Sequence, residues 1–461
     1  MEFIGREQEQ KIIHNMLQKD GYQGCVIYGR RRMGKTELVR KCVFDSALPY
    51  IIYQCKESTE HDNLEMLTSL IRIALKTSYL AFDGFLDAVR YLFEYSKEHP
   101  MILVLDEYPY LRTIIDGCDS KIQNIIDDYS LTCNMKFFLL GSSISTMEDV
   151  LSSNSPLYMR FQSSLLLKQM DYYDSSKFYP GFSNEDKVRL YSAFGGVPYY
   201  NAQIDEKISA RENIIRLISG QFSGLREFLD TYLKQELRKV NNANVVFESI
   251  ALGAFHYSDI FSKSHVDSSP ALNTILQKLI KMDLIEYVSP INNKNDKQKS
   301  GYRISDYCVR FYYNYIYRNE SAHQILDDDA FYDHFIHHDF ETSFIPKAFE
   351  EISKQFLIRM NKKGNMTPLL LDIGTYWYDN PKEKKKGLFD VVGKTKDGYV
   401  FFECKYTNEP IDESIIEEEI TQVSMTTLKP VQYGFISKSG FRTKKTYPYL
   451  FYTLDDMYQK M

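Results

Sequence analysis

The sequence predicts an α/β fold, in which a parallel sheet is followed by helical segments and then by a second, smaller α/β domain. Apolar runs alternate with helical stretches at the start of the chain, the strands then give way to helices, and strands return near the end. Alternating strands and helices indicate a parallel sheet with helices on both faces, because buried parallel strands are apolar throughout. The expected strands are Gln23 to Tyr28, Tyr50 to Gln54, Met101 to Asp106, Lys136 to Gly141 and Ser164 to Lys168.

The chain is long enough for several domains. Its 461 residues exceed what one hydrophobic core supports, and its 44% hydrophobic and 26% charged content is that of ordinary globular domains. Changes of pattern along the sequence place the boundaries between the domains. The predicted divisions are 1–170 for the sheet domain, 171–240 for a helical lid, 241–306 for three helices with a β-hairpin, 307–340 for a helical connector and 341–461 for the second α/β domain.

Net charge and cysteine usage exclude several classes of protein. A formal net charge of −6 does not indicate nucleic-acid binding, although charge averages over domains and is compatible with a local basic surface. The seven cysteines are scattered and never spaced as CxxC, which argues against a disulfide framework and a zinc site. No apolar run has the length of a membrane span, and the first residues lack the apolar stretch of a signal peptide. We therefore expect a cytoplasmic protein with reduced thiols and no membrane partner.

The first expected strand leads into a loop with the pattern GxxxxGK[ST]. Glycines in such a phosphate-binding loop, or P-loop, let the backbone wrap around a phosphate, so that N–H groups and the next helix N-terminus face the anion. Lys35 would reach the β- and γ-phosphates of ATP, and Thr36 would bind Mg²⁺. The motif predicts a P-loop NTPase fold for the sheet domain. The residues expected to border the nucleotide are Gly29, Arg30, Arg31, Arg32, Met33, Gly34, Lys35, Thr36 and Glu37.

An acidic pair, Asp106 and Glu107, follows the apolar run Met101 to Leu105. Two carboxylates at the end of a buried strand are costly unless they have a cation to bind. We expect Asp106 to hold Mg²⁺ through water, and Glu107 to orient the attacking water as general base.

Ser142 and Arg160 are two further candidates for catalysis. Ser142 follows the strand Lys136 to Leu140, and its hydroxyl would lie beside the γ-phosphate if this strand runs between the other two. Ser143 is close behind, and a helix N-cap before Ile144 is an alternative interpretation of this serine pair. Arg160 would stabilise transition-state charge, either in its own chain or in a neighbouring one. A solvated surface charge is the alternative for this arginine.

Several motifs in order resemble those of the archaeal-type ATPase family, a branch of the AAA+/STAND P-loop ATPases. The motifs are Phe3 to Glu7, Gly29 to Thr36, Leu105 to Glu107, Leu140 to Ser143 and Gly195 to Tyr200. The resemblance implies that Phe3, Ile4, Gly5 and Arg6 border the adenine and that the lid closes over ATP. The sequence shows no clear lid arginine.

A second group of charged residues lies near the end of the chain. Asp390 and Glu403 are in two expected strands of a hairpin, and Lys405 shares a strand face with Glu403 because strand side chains alternate. Two carboxylates and an ammonium could hold a divalent cation beside a scissile phosphate. The pattern resembles the D…ExK core of restriction-endonuclease-like nucleases, and that resemblance implies Glu350, Asp390 and Glu403 as metal ligands and Lys405 as catalytic. A structural or inactive relative is the alternative.

Three helices and a β-hairpin between residues 241 and 306 predict a winged helix-turn-helix. Ser269 to Met282 would be its recognition helix and Asn292 to Ser300 its wing. Binding to double-stranded DNA and contact with protein are equally good interpretations, since the helix offers only Lys278 and Lys281 as cations. The lysine run Lys382 to Lys386 could contact phosphates or be a solvated charge run.

Together these features predict an ATP-hydrolysing, Mg²⁺-dependent switch that acts on DNA through its winged helix and its nuclease-like domain. The alternative is a signalling or scaffold ATPase whose nuclease-like domain has lost catalysis and serves recognition. A homo-oligomer or a protein partner is compatible with both.

Overall fold

The computed structural model describes residues 3–238, 240–380 and 385–460. The chain folds as two compact units, Met1–Gln169 and Met170–Met461. Most of the lysine run Lys382 to Lys386 lies outside the described residues.

The first unit is a five-stranded parallel sheet with the strand order β2-β3-β4-β1-β5. All residues of β3 and β4 are buried, as expected for continuous apolar runs in a parallel sheet. The strand prediction is confirmed, with small shifts at the ends of β4 and β5. The strands are β1 (Gln23–Tyr28), β2 (Tyr50–Gln54), β3 (Met101–Asp106), β4 (Met135–Gly141) and β5 (Ser163–Leu166).

Helices connect these strands and cover the sheet. Phe93 and Ile122, on two of the helices, pack in one core with Leu103 and Phe137 of the sheet. The helices are α1 (Glu7–Leu17), α2 (Lys35–Asp45), α3 (Glu60–Leu75), α4 (Phe85–Tyr95), α5 (Pro109–Ile114), α6 (Cys118–Tyr129) and α7 (Ile144–Leu151).

The second unit begins with the helices of the predicted lid. They are α8 (Tyr172–Ser176), α9 (Asn184–Phe194), α10 (Pro198–Asn201), α11 (Ala210–Ile214) with a π-helical turn at Ile215–Ser219, and α12 (Gly224–Leu237). The three helices and the hairpin that follow are also as expected. They are α13 (Ala243–Ala251), α14 (Tyr257–Ser264), α15 (Ser269–Lys281), β6 (Ile285–Val288) and β7 (Gly301–Ile304), the strands pairing antiparallel.

A helical connector leads to the C-terminal domain. It consists of α16 (Tyr307–Phe311), π-helical turns at Tyr312–Ile316, Asp333–His337 and Phe340–Phe344, a 3₁₀ turn at Tyr317–Asn319, α17 (Glu320–His323) and α18 (Asp328–Tyr332). The C-terminal domain comprises α19 (Ile345–Lys362), β8 (Asp372–Asn380), β9 (Lys385–Lys394), β10 (Tyr399–Lys405), β11 (Ile411–Asp412), α20 (Glu413–Ser424), β12 (Pro430–Ser437), β13 (Phe441–Arg442), β14 (Leu450–Thr453) and α21 (Leu454–Tyr458).

The C-terminal sheet has the order β14-β12-β10-β9-β8. β8, β9 and β10 pair antiparallel, whereas β10, β12 and β14 are parallel to one another. The chain thus adds two parallel strands to a three-stranded meander, with α20 as the crossover between β10 and β12. This is a mixed α/β domain, as the sequence predicts.

The segment between β6 and β7, which contains the predicted wing Asn292 to Ser300, packs against this sheet. The Ile291 N–H donates to the Thr375 carbonyl at 2.9 Å, and Ile291 is buried with Tyr376 and Phe389. Lys299 Nζ donates to the Trp377 carbonyl at 3.3 Å. The segment between β6 and β7 therefore packs along β8 within the same chain.

The helices of the predicted lid pack against the helical connector and the C-terminal domain. Arg189 of α9 forms a two-armed ion pair with Glu341, at 2.8 and 3.3 Å. The Tyr172 hydroxyl of α8 donates to the Met457 carbonyl at 2.5 Å, and both side chains are buried. The lid and the C-terminal domain are therefore parts of one folded body.

Candidate nucleotide site and carboxylate cluster

The loop between β1 and α2 has the backbone conformation of a phosphate-binding turn. Gly29 and Gly34 have φ values of 147° and 79°, which side-chain-bearing residues rarely adopt. A Cβ atom at Gly29 would lie 2.4 Å from the Leu167 carbonyl oxygen, so this position has no room for a side chain. Helix α2 begins at Lys35, and its N-terminal N–H groups therefore follow the loop directly.

Lys35 lies folded into this loop. Its Nζ donates to the carbonyls of Gly29 and Arg30 at 2.9 and 3.0 Å, and only 6% of the residue is exposed. Burial lowers the pKa of Lys35, and the nearby carboxylates of Glu107 and Asp106 oppose this effect. The ammonium is thus held by carbonyl oxygens at the place where a phosphate would bind.

Thr36 and Asp106 are in contact, as a shared Mg²⁺ site would require. The Thr36 hydroxyl donates to Asp106 Oδ2 at 2.6 Å. Burial raises the pKa of Asp106, and the hydrogen bond from Thr36 opposes this shift. A hydroxyl and a carboxylate are ligands that Mg²⁺ accepts, so the donor set fits the predicted ion.

Glu107 is bound to Ser142. Its Oε2 accepts hydrogen bonds from the Ser142 hydroxyl at 2.8 Å and from the Ser142 N–H at 3.2 Å. Strand β4 lies between β1 and β3, which was the condition for placing Ser142 in the site. In this structure the Ser142 hydroxyl thus contacts the predicted general base, and Ser143 occupies the N-cap position of α7.

The N-terminal segment reaches the loop through Arg6. Arg6 is 7% exposed, and its Nη2 donates to the Lys168 carbonyl at 2.5 Å and to the Met33 carbonyl at 3.5 Å. Gly5 is buried, and Phe3 and Ile4 are partly buried. Among the predicted loop residues, Arg30 and Met33 are buried, whereas Arg31, Arg32 and Glu37 are exposed.

Arg160 is not brought to the phosphate-binding loop of its own chain. Its guanidinium pairs with Asp127 at 3.1 and 3.2 Å, and its carbonyl accepts from the Tyr22 hydroxyl. It precedes β5, whose first residue pairs with Cys25 of the parallel strand β1. Arg160 therefore lies at the amino edge of the sheet, whereas the loop lies at the carboxyl edge, and the expectation of a finger within this chain is not supported.

The four predicted residues of the C-terminal domain are close together. Val391 pairs with Phe402 across the antiparallel hairpin, so that the same register places Asp390 opposite Glu403. Lys405 and Glu403 form an ion pair. Glu350, on α19, shares a hydrogen bond with Asp390. The hairpin geometry inferred from alternation is thus present.

These groups affect one another's ionisation. Burial and then the charge of Asp390 raise the pKa of Glu350 to about 8. Burial also raises the pKa of Asp390 and of Glu403, against the opposing ammonium groups of Lys354 and Lys405. Burial lowers the pKa of Lys405, but the Glu403 carboxylate and other acidic neighbours outweigh it, and the net shift is upward. Burial and repulsion between the carboxylates therefore oppose the charged state of these acids, and the ion pair with Lys405 favours it.

A metal position is not formed in advance. Within residues 3–238, 240–380 and 385–460, no three His, Cys, Asp or Glu side chains are arranged to hold a metal ion. The Lys405 ammonium already binds Glu403, and Glu350 is hydrogen-bonded to Asp390, so these carboxylates have other partners.

Sequence reasoning missed a set of contacts beside this cluster. Arg303 of β7 donates to Glu351 at 2.6 Å, and Lys354 donates to Glu351 at 3.0 Å and to the Thr375 hydroxyl at 3.1 Å. Burial raises the pKa of Glu351, but Lys354 and Arg303 outweigh it and hold that pKa well below its usual range. The residue pair Glu350-Glu351 on an amphipathic helix was the available signal, but the partners lie in other elements.

Two further observations concern the described chain. The cysteines carry free thiols, and six of the seven are buried. None of the helices in the described ranges combines the length and apolar character that crossing a bilayer requires.

A parallel sheet with a phosphate-binding loop after β1 and an acidic pair at the carboxyl end of β3 defines a P-loop ATPase. The fold is similar to that of the Walker-type ATPase of Pyrococcus abyssi, with a TM-score of 0.52 and 19% identity over 68% of this chain and 96% of that chain. The ORC2 protein of Aeropyrum pernix, solved with ADPNP and ADP, has a TM-score of 0.48 and 13% identity over 70% of this chain and 96% of that chain.

Family comparisons identify the group more closely. Residues 3–204 match the family model described as an ATPase domain predominantly from Archaea, and residues 312–422 match one described as Archaea bacterial proteins of unknown function. An uncharacterised protein of Methanocaldococcus jannaschii is 30% identical over 389 residues, which are 82% of each chain. The chain belongs to the archaeal-type ATPase family, with an ATP-binding ATPase domain and a C-terminal domain of unknown function.

Proposed function

We propose that the first unit hydrolyses ATP in a Mg²⁺-dependent reaction. Lys35 would leave the loop carbonyls to bind the β- and γ-phosphates, while the loop N–H groups hold the triphosphate. Thr36 and Asp106 would hold Mg²⁺, which neutralises phosphate charge when it is bound. Glu107 would accept the proton of the attacking water, and Ser142 would orient Glu107.

One observation carries this proposal. Two hydrogen-bonded pairs, Thr36 with Asp106 and Glu107 with Ser142, join the loop to the carboxyl ends of β3 and β4. Parallel strands bring the metal ligands and the base to the same edge of the sheet, which is where the loop presents phosphate. Hydrolysis needs this combination, whereas nucleotide binding alone needs only the loop.

Calorimetry with ATP and Mg²⁺ tests the site. We expect Lys35→Ala to weaken binding roughly 30-fold or more, because it removes a buried charge that pairs with phosphate. Lys41→Ala is the matched control, since Lys41 lies on the same helix and pairs with Asp45 at the surface. Equal losses in both variants, or unchanged binding in Lys35→Ala, would refute the site.

We further propose that the C-terminal domain cleaves phosphodiester bonds of double-stranded DNA with the help of a divalent cation. Glu350, Asp390 and Glu403 would hold the cation, whose chemistry when bound is to activate water and polarise the scissile phosphate. Lys405 would exchange its ion pair with Glu403 for contact with the phosphate. The register of β9 and β10 supports this proposal, because it places Asp390 opposite Glu403.

Plasmid nicking tests the second proposal. Wild type and Lys405→Ala are incubated with plasmid and Mg²⁺ or Mn²⁺, with and without ATP. Lys444→Ala serves as control, since Lys444 is an exposed lysine of the same domain. Nicking by wild type and the control, but not by Lys405→Ala, is the expected result.

The alternative function is a signalling or scaffold ATPase whose C-terminal domain serves recognition. The absence of a preformed metal position among the described residues favours it, as does the wing that packs on β8. Equal nicking by wild type and Lys405→Ala, or no nicking under any nucleotide condition, would favour this alternative. In either case we propose that the γ-phosphate of bound ATP controls the conformation of the second unit. We also propose that the protein acts in the cytoplasm.

Partners follow from the same considerations. Salt-dependent retention on double-stranded DNA would test the winged helix separately from cleavage.

The wing contact supports the protein-contact role of this module. A homo-oligomer is required if Arg160 acts in the site of a neighbouring chain, and light scattering with ATP would detect it.

A further inference from the structure

Helix α20 carries an acidic residue in the middle of its buried face. Its buried residues are Ile416, Glu419 and Val423, which lie three and four positions apart and so share one side of the helix. Ile416 packs with Phe435, and Val423 belongs to the core that contains Phe401. An apolar residue is the rule at such a position, yet Glu419 is only 4% exposed.

Glu419 lies toward Glu403 and Lys405. Phe401, Glu403 and Lys405 share one face of β10, because side chains alternate along a strand. Helix α20 returns antiparallel to β10, so the residue one turn before Val423 lies beyond Phe401, on the side of Glu403. In agreement, burial and then Glu403 raise the pKa of Glu419 to about 8, with Lys405 opposing.

One oxygen of this carboxyl group has no partner. Glu419 Oε1 is buried and makes no hydrogen bond. A buried carboxyl oxygen that has lost its water without gaining a partner is costly, so its presence suggests a ligand. Since the facing groups are mainly carboxylates, a hard divalent cation is the ligand that would offset their charge.

We propose that Glu419 is a ligand for a divalent cation shared with Glu403. This inference rests on the proposed nuclease-type site, to which it adds a carboxylate from α20. Cation binding there displaces the Lys405 ammonium from Glu403, because the carboxylate that now holds the ammonium becomes a ligand of the cation. The carboxylate ligands therefore take up their metal-binding arrangement only when the cation binds. This agrees with the lack of a preformed metal position among the described residues.

Titration of the nucleotide-free full chain with Mn²⁺, followed by calorimetry, tests the proposal. We expect Glu419→Gln to weaken Mn²⁺ binding about tenfold or more. Glu418→Gln is the matched control, because it makes the same substitution at an exposed neighbour on the same helix. Unchanged affinity in the control separates ligation from a general effect of charge.

Comparing Mn²⁺ binding in Asp390→Asn and in Glu419→Gln tests the ligand role of Glu419 separately from the proposed nuclease-type site. Loss of Mn²⁺ binding in Asp390→Asn but not in Glu419→Gln would overturn the role of Glu419 and keep the metal site. Binding that depends on Glu419, without plasmid nicking, would support the ligand role and refute the nuclease function. Binding that neither variant weakens would overturn both.

A folding defect is monitored by circular dichroism. If Glu419→Gln does not fold, Glu419→Asp replaces it, since aspartate keeps the carboxylate but shortens its reach. The proposal then expects weakened but measurable Mn²⁺ binding in Glu419→Asp. Wild-type affinity in that variant would contradict it.

Discussion

At the scale of single residues, the nucleotide site could be predicted where its residues are adjacent in sequence. The loop from Gly29 to Thr36 and the pair Asp106-Glu107 are local patterns whose chemistry follows from residue type and position. The hydrogen bond between Ser142 and Glu107 and the ion pair between Arg160 and Asp127 could not be predicted in the same way. They join residues more than 30 positions apart, and only the fold determines which distant polar groups meet.

Glu107→Gln should bind ATP but hydrolyse it about 100-fold more slowly or worse, because the amide cannot accept the proton of the attacking water. Steady-state ATPase assays and nucleotide calorimetry measure the two properties separately. Glu148→Gln, an exposed acid on α7, is the control and should behave as wild type. Normal turnover in Glu107→Gln would remove this residue from its proposed role.

Ser142→Ala should lower kcat about tenfold and leave KM for ATP unchanged, because it removes a hydrogen bond to a charged carboxylate and keeps the backbone one. Ser145→Ala, on the exposed side of α7, provides the comparison. A rise in KM with constant kcat would instead indicate that Ser142 contacts the bound nucleotide, as the sequence first suggested.

At the scale of helices and strands, the sequence was informative about types and less so about contacts. The strands of the first sheet and the three helices with their hairpin follow from continuous apolar runs and from helical spacing. The packing of Ile291 against Tyr376 and Phe389 was not predictable, because the intervening loop is polar and Ile291 is a single apolar residue in it. The burial of Glu419 was not predictable for a related reason. Which face of α20 is buried depends on the sheet that packs against it, and the sequence of the helix alone does not show this.

Ile291→Ala should destabilise the second unit by about 3 kcal/mol, because it removes a buried side chain from the contact with β8. Urea denaturation followed by tryptophan fluorescence is well suited to this, since the single tryptophan, Trp377, lies on β8. Asn292→Ala is the exposed neighbour for comparison. Equal stability of the two variants would show that the contact contributes little.

At the scale of the whole molecule, the segment predicted as a lid, residues 171–240, is folded together with the connector and the C-terminal domain. Arg189 binds Glu341, and Tyr172 binds the Met457 carbonyl, which lies near the chain end. Long-range contacts of this kind leave no periodic signal, which is why the sequence suggested five successive domains without indicating which of them pack together. The division after Gln169 separates a sheet with its own core from everything that follows.

Residues 1–169 should fold alone, whereas residues 171–240 of a chain truncated at 240 should exchange their amide hydrogens rapidly. The truncation removes Glu341 and Met457, and with them the partners of Arg189 and Tyr172. Hydrogen exchange with mass spectrometry compares the truncated and complete chains. Slow exchange of the lid in the truncated chain would mean that it is stable without the C-terminal domain.

The contact between the β6–β7 segment and β8 affects how the chain behaves in solution. β8 is the outermost strand of its sheet, nine residues long and rich in aromatic side chains at Tyr376, Trp377 and Tyr378. Such a strand is a template for pairing with other chains and for aggregation. Pro290 bridges Thr375 on this strand, and a proline nitrogen has no hydrogen to offer a further strand. The segment between β6 and β7 thereby shields this edge of the sheet against association with other chains.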